Sequence, residues 1–346
     1  MKLTGQELFS IATGAVRYTE EKMGVQLLRF TEEQEKHYKT HKARDGRDVF
    51  FYNQSFAPAG IRLRFLTDAT SLSLEIFTQE ASSRKFFCFD VFVDGNLVAT
   101  IKNFPEEIFN EKHYADNCYS LGKLNQSIDL GVGEKTVEIY CPWSVKVWFQ
   151  EFILENATYI TPVKRDKTLL VFGDSIRQGY DALHPSNRYL SKLSNYFKAD
   201  EYNKAIGGER YVFISELADM KDEFLPEYVF ISYGSNDWFN EPSLEKIKNA
   251  ISVFLGKIKK RFSYATIFLE TPLWRDGLGL VSECKFEQIL RFIEETGKEL
   301  NMVILNGYDC IPKNETYMAD KYTHPNDFGF EFYSKNIIKQ IERITL

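Results

Sequence analysis

The sequence predicts an α/β protein in two parts: an all-β, jelly-roll-like sandwich over residues 1–161, then a three-layer α/β/α domain with a five-stranded parallel sheet over residues 162–346. Three observations predict it. From about Gly60 to Ile160 apolar residues recur with a period of two. After Thr161-Pro162 short apolar runs alternate with segments of helical period. A chain of 346 residues also has the length for two domains of ordinary size.

Taken in order, Thr4 with Glu7 forms a capping box, which opens a short helix ending near Gly14. Glu32 to Arg47 is a charge run. His37 and His41 lie four apart in it, which on a helix puts both imidazoles on one face, as a metal site requires. No acidic motif accompanies them, so the run reads as a solvated face. Ile61, Leu63 and Phe65 alternate with polar neighbours, and Leu72, Leu74 and Ile76 do so again after a turn at Thr67-Asp68-Ala69-Thr70. Phe89 to Val93 and Leu97 to Ile101 flank Asp94-Gly95, a hairpin signal because both central residues accept positive φ. Val137 to Tyr140 and Val145 to Ile153 supply later strands. Short antiparallel strands in succession bury their apolar sides by pairing two sheets face to face, hence the sandwich.

In the second half, Thr168 to Phe172 suits the first buried strand of a parallel sheet, and Tyr228 to Tyr233, Ala265 to Leu269 and Met302 to Leu305 read as later ones. Leu244, Ile247, Ile251, Phe254, Leu255 and Ile258 mark one amphipathic helix; Phe286, Ile289, Leu290 and Ile293 mark another. Strand, helix, strand in sequence demands right-handed crossovers, with helices on both faces of the sheet.

Chemistry collects at the ends of these strands. Gly173-Asp174-Ser175 follows the first run, where a glycine lets the backbone turn and present the next side chains into the crevice beyond the sheet. Asn203 leads to the paired glycines Gly207-Gly208, whose bare N–H groups can approach a ligand closely. Gly234-Ser235-Asn236-Asp237 puts an amide at the next strand tip, and His324-Pro325-Asn326-Asp327 precedes the C-terminal helical pattern. A serine hydroxyl is a weak nucleophile, so a histidine must take its proton, and a carboxylate or carbonyl must hold the imidazole tautomer. Of five histidines, His37, His41 and His113 lie in the first half and His184 sits in a polar loop, which leaves His324 as the base and His184 as a minor competitor or substrate contact.

These residues resemble the SGNH or GDSL hydrolases, whose four blocks supply Ser, Gly, Asn and His in this order. The resemblance runs from about Thr168 to Ile344 and implies a flavodoxin-like hydrolase domain. It makes Ser175 the nucleophile and His324 its base, with the Ser175 N–H, Gly208 and Asn236 forming the oxyanion hole. The string Gly173-Asp174-Ser175-Ile176-Arg177-Gln178-Gly179-Tyr180-Asp181 is similar to the subgroup with a β-sandwich in front, which implies a carbohydrate acetyl esterase. Two positions depart from the pattern. Arg177 replaces the usual threonine and either favours an anionic group on the substrate or points to solvent. The acid expected three residues before the histidine is Lys321, so either the loop carries one extra residue and Asp320 reaches the ring, or a backbone carbonyl orients a Ser-His dyad. Asp327 is expected to cap the last helix. Asp174 and Gly207 join the expected substrate contacts. Trp274 and Arg275 follow the fourth strand and either reach the active-site rim or pack over the sheet edge.

The expected partner is therefore a small acylated substrate, a carbohydrate or similar polyol. No metal or organic cofactor is implied. A net charge of −6 argues against nucleic-acid and anionic-membrane surfaces. The 29 Phe and 19 Tyr suit sandwich cores and also furnish sugar-stacking platforms. Five cysteines, odd in number and without a CxxC pair, read as reduced thiols of a cytoplasmic protein, and the N-terminus lacks a secretory pattern. Two further readings stand beside the esterase: a carbohydrate-binding protein that has lost turnover, motivated by Arg177 and the displaced acid, and an O-acyltransferase using the same acyl-enzyme.

Overall fold

The computed structural model describes residues 1–40, 50–105, 119–222 and 224–345. His41, His113 and Cys118 lie outside the described residues. In the first half, helix α1 (Gly5–Ile11) precedes strands β1 (Ala12–Thr13), β2 (Arg17–Glu21) and β3 (Gly24–Leu28). Helices α2 (Glu32–Thr40) and α3 (Phe50–Ser55) follow. Then come β4 (Arg62–Thr67), β5 (Ser71–Glu80), β6 (Cys88–Val93), β7 (Asn96–Lys102), β8 (Lys123–Asp129), β9 (Lys135–Tyr140), β10 (Val145–Glu155) and β11 (Ile160–Pro162).

These strands form two antiparallel sheets, ordered β1-β4-β9-β6-β7 with β11 beside β4, and β2-β3-β10-β5-β8. The period of two is the cause: on β5, Leu72, Leu74 and Ile76 are buried while their neighbours are half-buried, and they meet Phe65, Phe89 and Val137 of the facing sheet in one core. Asp94 and Gly95 both adopt positive φ, as the turn between β6 and β7 requires. The Thr4–Glu7 capping box is present, but α1 stops at Ile11, because the chain joins β4 as β1 before it reaches Gly14.

The second half contains β12 (Lys167–Gly173), α4 (Ser175–Gln178), α5 (Tyr189–Phe197), β13 (Ala199–Asn203), α6 (Tyr211–Ile214), β14 (Tyr228–Ser232), α7 (Ser235–Asn240), α8 (Leu244–Arg261), β15 (Thr266–Glu270), α9 (Glu283–Glu299), β16 (Val303–Leu305) and α10 (Asp327–Thr345). Its five strands are parallel in the order β13-β12-β14-β15-β16, and separate apolar cores lie on the two faces of the sheet. Strand order reverses at β12, so the crevice at its carboxyl end is the topological switch point where such sheets hold ligands. Ser175 opens the helix just beyond that end.

The first half is not wholly sandwich. Phe30, Tyr38 and Phe51 join the core beneath the parallel sheet, and α2 buries Gln34, Glu35 and His37 there. The solvated face expected around His37 is thus corrected: its Nδ1 lies 3.2 Å from Glu216, because α2 lies against the α/β domain. More contacts cross the seam. Arg64 pairs with Asp200 at 2.8 Å, Trp143 donates to the Ala182 carbonyl at 2.8 Å, and buried Arg29 donates to the carbonyls of Asn203 and Ala205. Among the described residues no helix is long and apolar enough to cross a membrane, and Cys88, Cys141, Cys284 and Cys310 are free thiols.

Candidate active site

Three adjacent strand tips assemble the site. Gly173 at the end of β12 is in register with Ser232 of β14, and Val171 with Asn203 of β13, so residues following all three strands converge on one crevice. Ser175 Oγ lies 2.9 Å from His324 Nε2, and the other ring nitrogen lies 2.7 Å from Asp320 Oδ2. Ser175 is 8% exposed, enough to be reached while partly withdrawn from water.

The extra residue in the Asp320 loop is accommodated by a left-handed turn at Lys321, with φ of 63°. The loop curls around the carboxylate: Asp320 Oδ1 accepts the N–H groups of Tyr322, Thr323 and His324 at 2.9, 2.7 and 3.0 Å. Burial alone would raise the Asp320 carboxyl, but the His324 ring and the backbone donors outweigh it and hold it well below the usual carboxylate range. Of the two alternatives left by the sequence, the geometry brings Asp320 to the ring.

A second carboxylate also faces that nitrogen. Asp181, fully buried with φ of 70°, has Oδ2 3.4 Å from His324 Nδ1. Its oxygens accept from Arg84 Nε at 2.7 Å and Nη2 at 2.9 Å, and Arg84 comes from the sandwich loop between β5 and β6. The Tyr180 ring lies 5.3 Å from the imidazole, and its hydroxyl donates to Gln54 of α3. Sequence reasoning missed Arg84 and Gln54, which lie far from the motif segments. Asp181 and Tyr180 stood within the nine-residue string but received no role.

Gly208 is half-buried with φ of 86°, a left-handed conformation that favours glycine, and a Cβ there would stand 3.6 Å from the Phe50 ring. Asn236 sits in the first turn of α7. One hydrogen of its amide goes to the Glu209 carbonyl at 3.2 Å, leaving the second for another acceptor.

Three expected substrate contacts are corrected. Gly207 is buried, with its N–H donating to Gln178 at 2.8 Å and its carbonyl accepting from Gln54 at 3.0 Å, so its backbone is spent in holding the loop. Asp174 is buried and caps α4 through the Ile176 N–H at 3.2 Å; burial raises its carboxyl, and Arg177 offsets part of that. Arg177 faces neither substrate nor solvent. It lies under the site, 3.0 Å from Glu270 and 2.7 Å from the Tyr333 hydroxyl, because a buried guanidinium needs a carboxylate partner.

Arg275 is buried over the Tyr322 ring, 4.8 Å away, and half-buried Trp274 packs against the cores on both faces of the sheet. Asp327 does not cap α10: Asn326 does, accepting the Gly329 N–H at 2.9 Å. Asp327 instead accepts from the N–H groups of Leu183 and His184, fixing the loop after Asp181. His184 pairs with Asp90 of β6 rather than with Ser175.

The four segments lie at or just beyond the strand tips of the five-stranded parallel sheet. Residues 171–332 match the GDSL-like lipase/acylhydrolase family, and the chain carries that domain behind its β-sandwich. No curated protein matches the chain in sequence. Among solved structures, a salicylyl-acyltransferase from a tetracycline biosynthetic pathway is 18% identical with a TM-score of 0.77, covering 97% of this chain and 94% of its own. An acetyl xylan esterase from the rumen bacterium Butyrivibrio proteoclasticus is 14% identical with a TM-score of 0.61, covering 100% and 98%. A family two carbohydrate esterase from Cellvibrio japonicus is 16% identical with a TM-score of 0.59, covering 83% and 89%. At these identities the likeness is one of fold, and it includes the sandwich.

Proposed function

We propose that the protein is a serine esterase that removes a small acyl group, acetyl above all, from a carbohydrate or similar polyol. The observation that carries the reading is the contact chain from Asp320 through His324 to Ser175, at 2.7 and 2.9 Å. Ser175 attacks the ester carbonyl while His324 Nε2 takes its proton, and Asp320 keeps the other ring proton on Nδ1 and stabilises the imidazolium. The N–H groups of Ser175 and Gly208 and the Asn236 amide receive the oxyanion. His324 then protonates the departing alcohol, and water activated by the same ring resolves the acyl-enzyme.

Support for a sugar comes from the fold shared with the two carbohydrate esterases and from the Phe50 ring beside Gly208, an apolar face of the kind on which sugars stack. A second reading, transfer of the acyl group to another hydroxyl, is favoured by the fold shared with the salicylyl-acyltransferase over nearly the whole chain. The non-catalytic reading loses its motives, since Asp320 reaches the ring and Arg177 is paired below it.

The test is acetate release from a short-chain aryl acetate and from a panel of acetylated sugars, with and without Ser175→Ala. Serine-dependent release from sugars supports the proposal. Glycan binding without turnover would sink it, and acyl transfer to an added alcohol in preference to water would move the assignment to transferase.

A further inference from the structure

Strand β6 carries Cys88 and Asp90 two residues apart, a spacing that sends both side chains to one face. That face meets the α/β domain, where the loop after Asp181 brings His184 against it. Cys88 Sγ lies 3.5 Å from Asp90 Oδ1 and 3.8 Å from His184 Nδ1, and the last two atoms are 2.8 Å apart. We propose that these three atoms form a site for zinc or a similar borderline divalent ion, with water as fourth ligand, and that the ion clips the sandwich to the α/β domain.

The dimensions fit. The point equidistant from the three atoms lies about 2.0 Å from each, against zinc distances of about 2.0–2.3 Å to nitrogen, oxygen and sulfur. Only the edge between Nδ1 and Oδ1, now a hydrogen bond, must open, by roughly half an ångström, to reach tetrahedral separation. One thiol, one imidazole and one carboxylate is a donor set for zinc rather than for magnesium or calcium, which take oxygen. The ligands are also oriented from behind. Asp90 Oδ2 accepts the Ser186 N–H at 3.0 Å, and Asp327 accepts the His184 N–H at 3.3 Å and the Asn187 amide at 2.8 Å.

The local charges are Asp90 and Asp327, both withdrawn from water, against Lys102 and whatever proton His184 carries. Burial, then Asp90 beside it, pushes the Cys88 thiol far up, so without an ion the cluster is a thiol beside a hydrogen-bonded pair. Coordination reverses that. The S–H bond breaks and its proton goes to water, the Nδ1 proton passes to Nε2 or to solvent, bonds form from the ion to S, N and O, and no electron changes hands. A groove of about 380 Å³, lined by Leu97, Thr100, Lys102, Phe104, Leu183 and His184, reaches the cluster from its His184 side. Neither Cys88 nor Asp90 touches Ser175 or His324 in the described contacts, so the site is separate from the candidate active site.

The experiment titrates the metal-free full chain with cobalt(II), whose bond to a thiolate gives an intense near-ultraviolet charge-transfer band, and then displaces it with zinc. The expected result is a band that saturates at one equivalent, is bleached by zinc, is absent from Cys88→Ser, and needs at least tenfold more cobalt in His184→Ala. No band in the unaltered chain overturns the proposal. So does a band that survives in Cys88→Ser, or binding that depends on Asp320 instead of Cys88. If Cys88→Ser does not fold, a peptide map of the unaltered chain decides: zinc must protect Cys88 from alkylation, and equal labelling with and without zinc overturns the site.

Discussion

Arg84 grips both carboxylate oxygens of Asp181, at 2.7 and 2.9 Å, across the seam between the sandwich and the α/β domain. Because Asp181 also lies 3.4 Å from His324 Nδ1, the sandwich reaches the His324 imidazole through one buried ion pair. Removing one partner of such a pair leaves an uncompensated charge, so Arg84→Ala is expected to destabilise the protein by about 3–5 kcal/mol. Asp181→Asn added to Arg84→Ala relieves that charge, so the double variant should be less destabilised than the two single losses summed. Urea midpoints of the four proteins measure it. Strictly additive losses would show that the pair is not coupled.

Asp320→Asn keeps an oxygen for the three backbone N–H groups while removing the charge from His324. Turnover of an aryl acetate should fall about 10²–10⁴-fold with little change in KM, since the wrong tautomer is then held. Asp181 supplies a second carboxylate beside Nδ1, so Asp320→Asn with Asp181→Asn should fall further. Almost unchanged turnover in the single variant would remove Asp320 as the orienting acid.

Asn236→Ala tests the proposed oxyanion hole. Loss of one preorganised donor typically lowers turnover about 10²–10³-fold, because the lost bond is made in the transition state and not to bound substrate. Steady-state kinetics should therefore show a fall in kcat at nearly constant KM. A rise in KM alone would make Asn236 a binding contact.

The pairing of Arg177 with Glu270 predicts a stability effect, not a specificity effect. Both are withdrawn from water, with Tyr189 and Tyr333 hydroxyls also donating to Glu270. Glu270→Gln leaves the buried guanidinium with Asp174, 3.6 Å away, as its remaining counter-charge and should cost up to about 3 kcal/mol in chemical denaturation. The ratio of kcat/KM for anionic and neutral esters should stay where it was; a large change in that ratio would return Arg177 to the substrate.

What could be read from the sequence was what short-range pattern encodes. The alternation of Leu72, Leu74 and Ile76, the Asp94-Gly95 turn and the runs before Ser175 and Asn236 all lie within a few residues of the feature they specify. Strands β2 and β8 escaped because they are sheet edges with mostly exposed or half-buried residues, and so carry no clean alternation. Arg177 was misread for a different reason. Its partner Glu270 is distant in sequence and joins it only once β15 stands in the sheet. The same holds for Arg84 with Asp181, where neither neighbourhood announces the other.

Glu209, directly after Gly208, supplies the pH test. Burial pushes its carboxyl up to about 8, against the downward pull of hydrogen bonds from Tyr38 and Tyr233 at 2.8 and 3.0 Å. The folded protein thus holds this proton more tightly than the unfolded chain, in which a Glu titrates near its ordinary value of about 4.3. The stability it contributes is complete below that value and is lost as pH rises through about 8, where folding must bury a charge or keep a proton that the unfolded chain has released. Glu209→Gln carries no such proton. Its urea midpoint, relative to the unaltered protein, should therefore rise between pH 5 and pH 8.5, and parallel curves for the two proteins across that range would mean that Glu209 is already ionised in the fold.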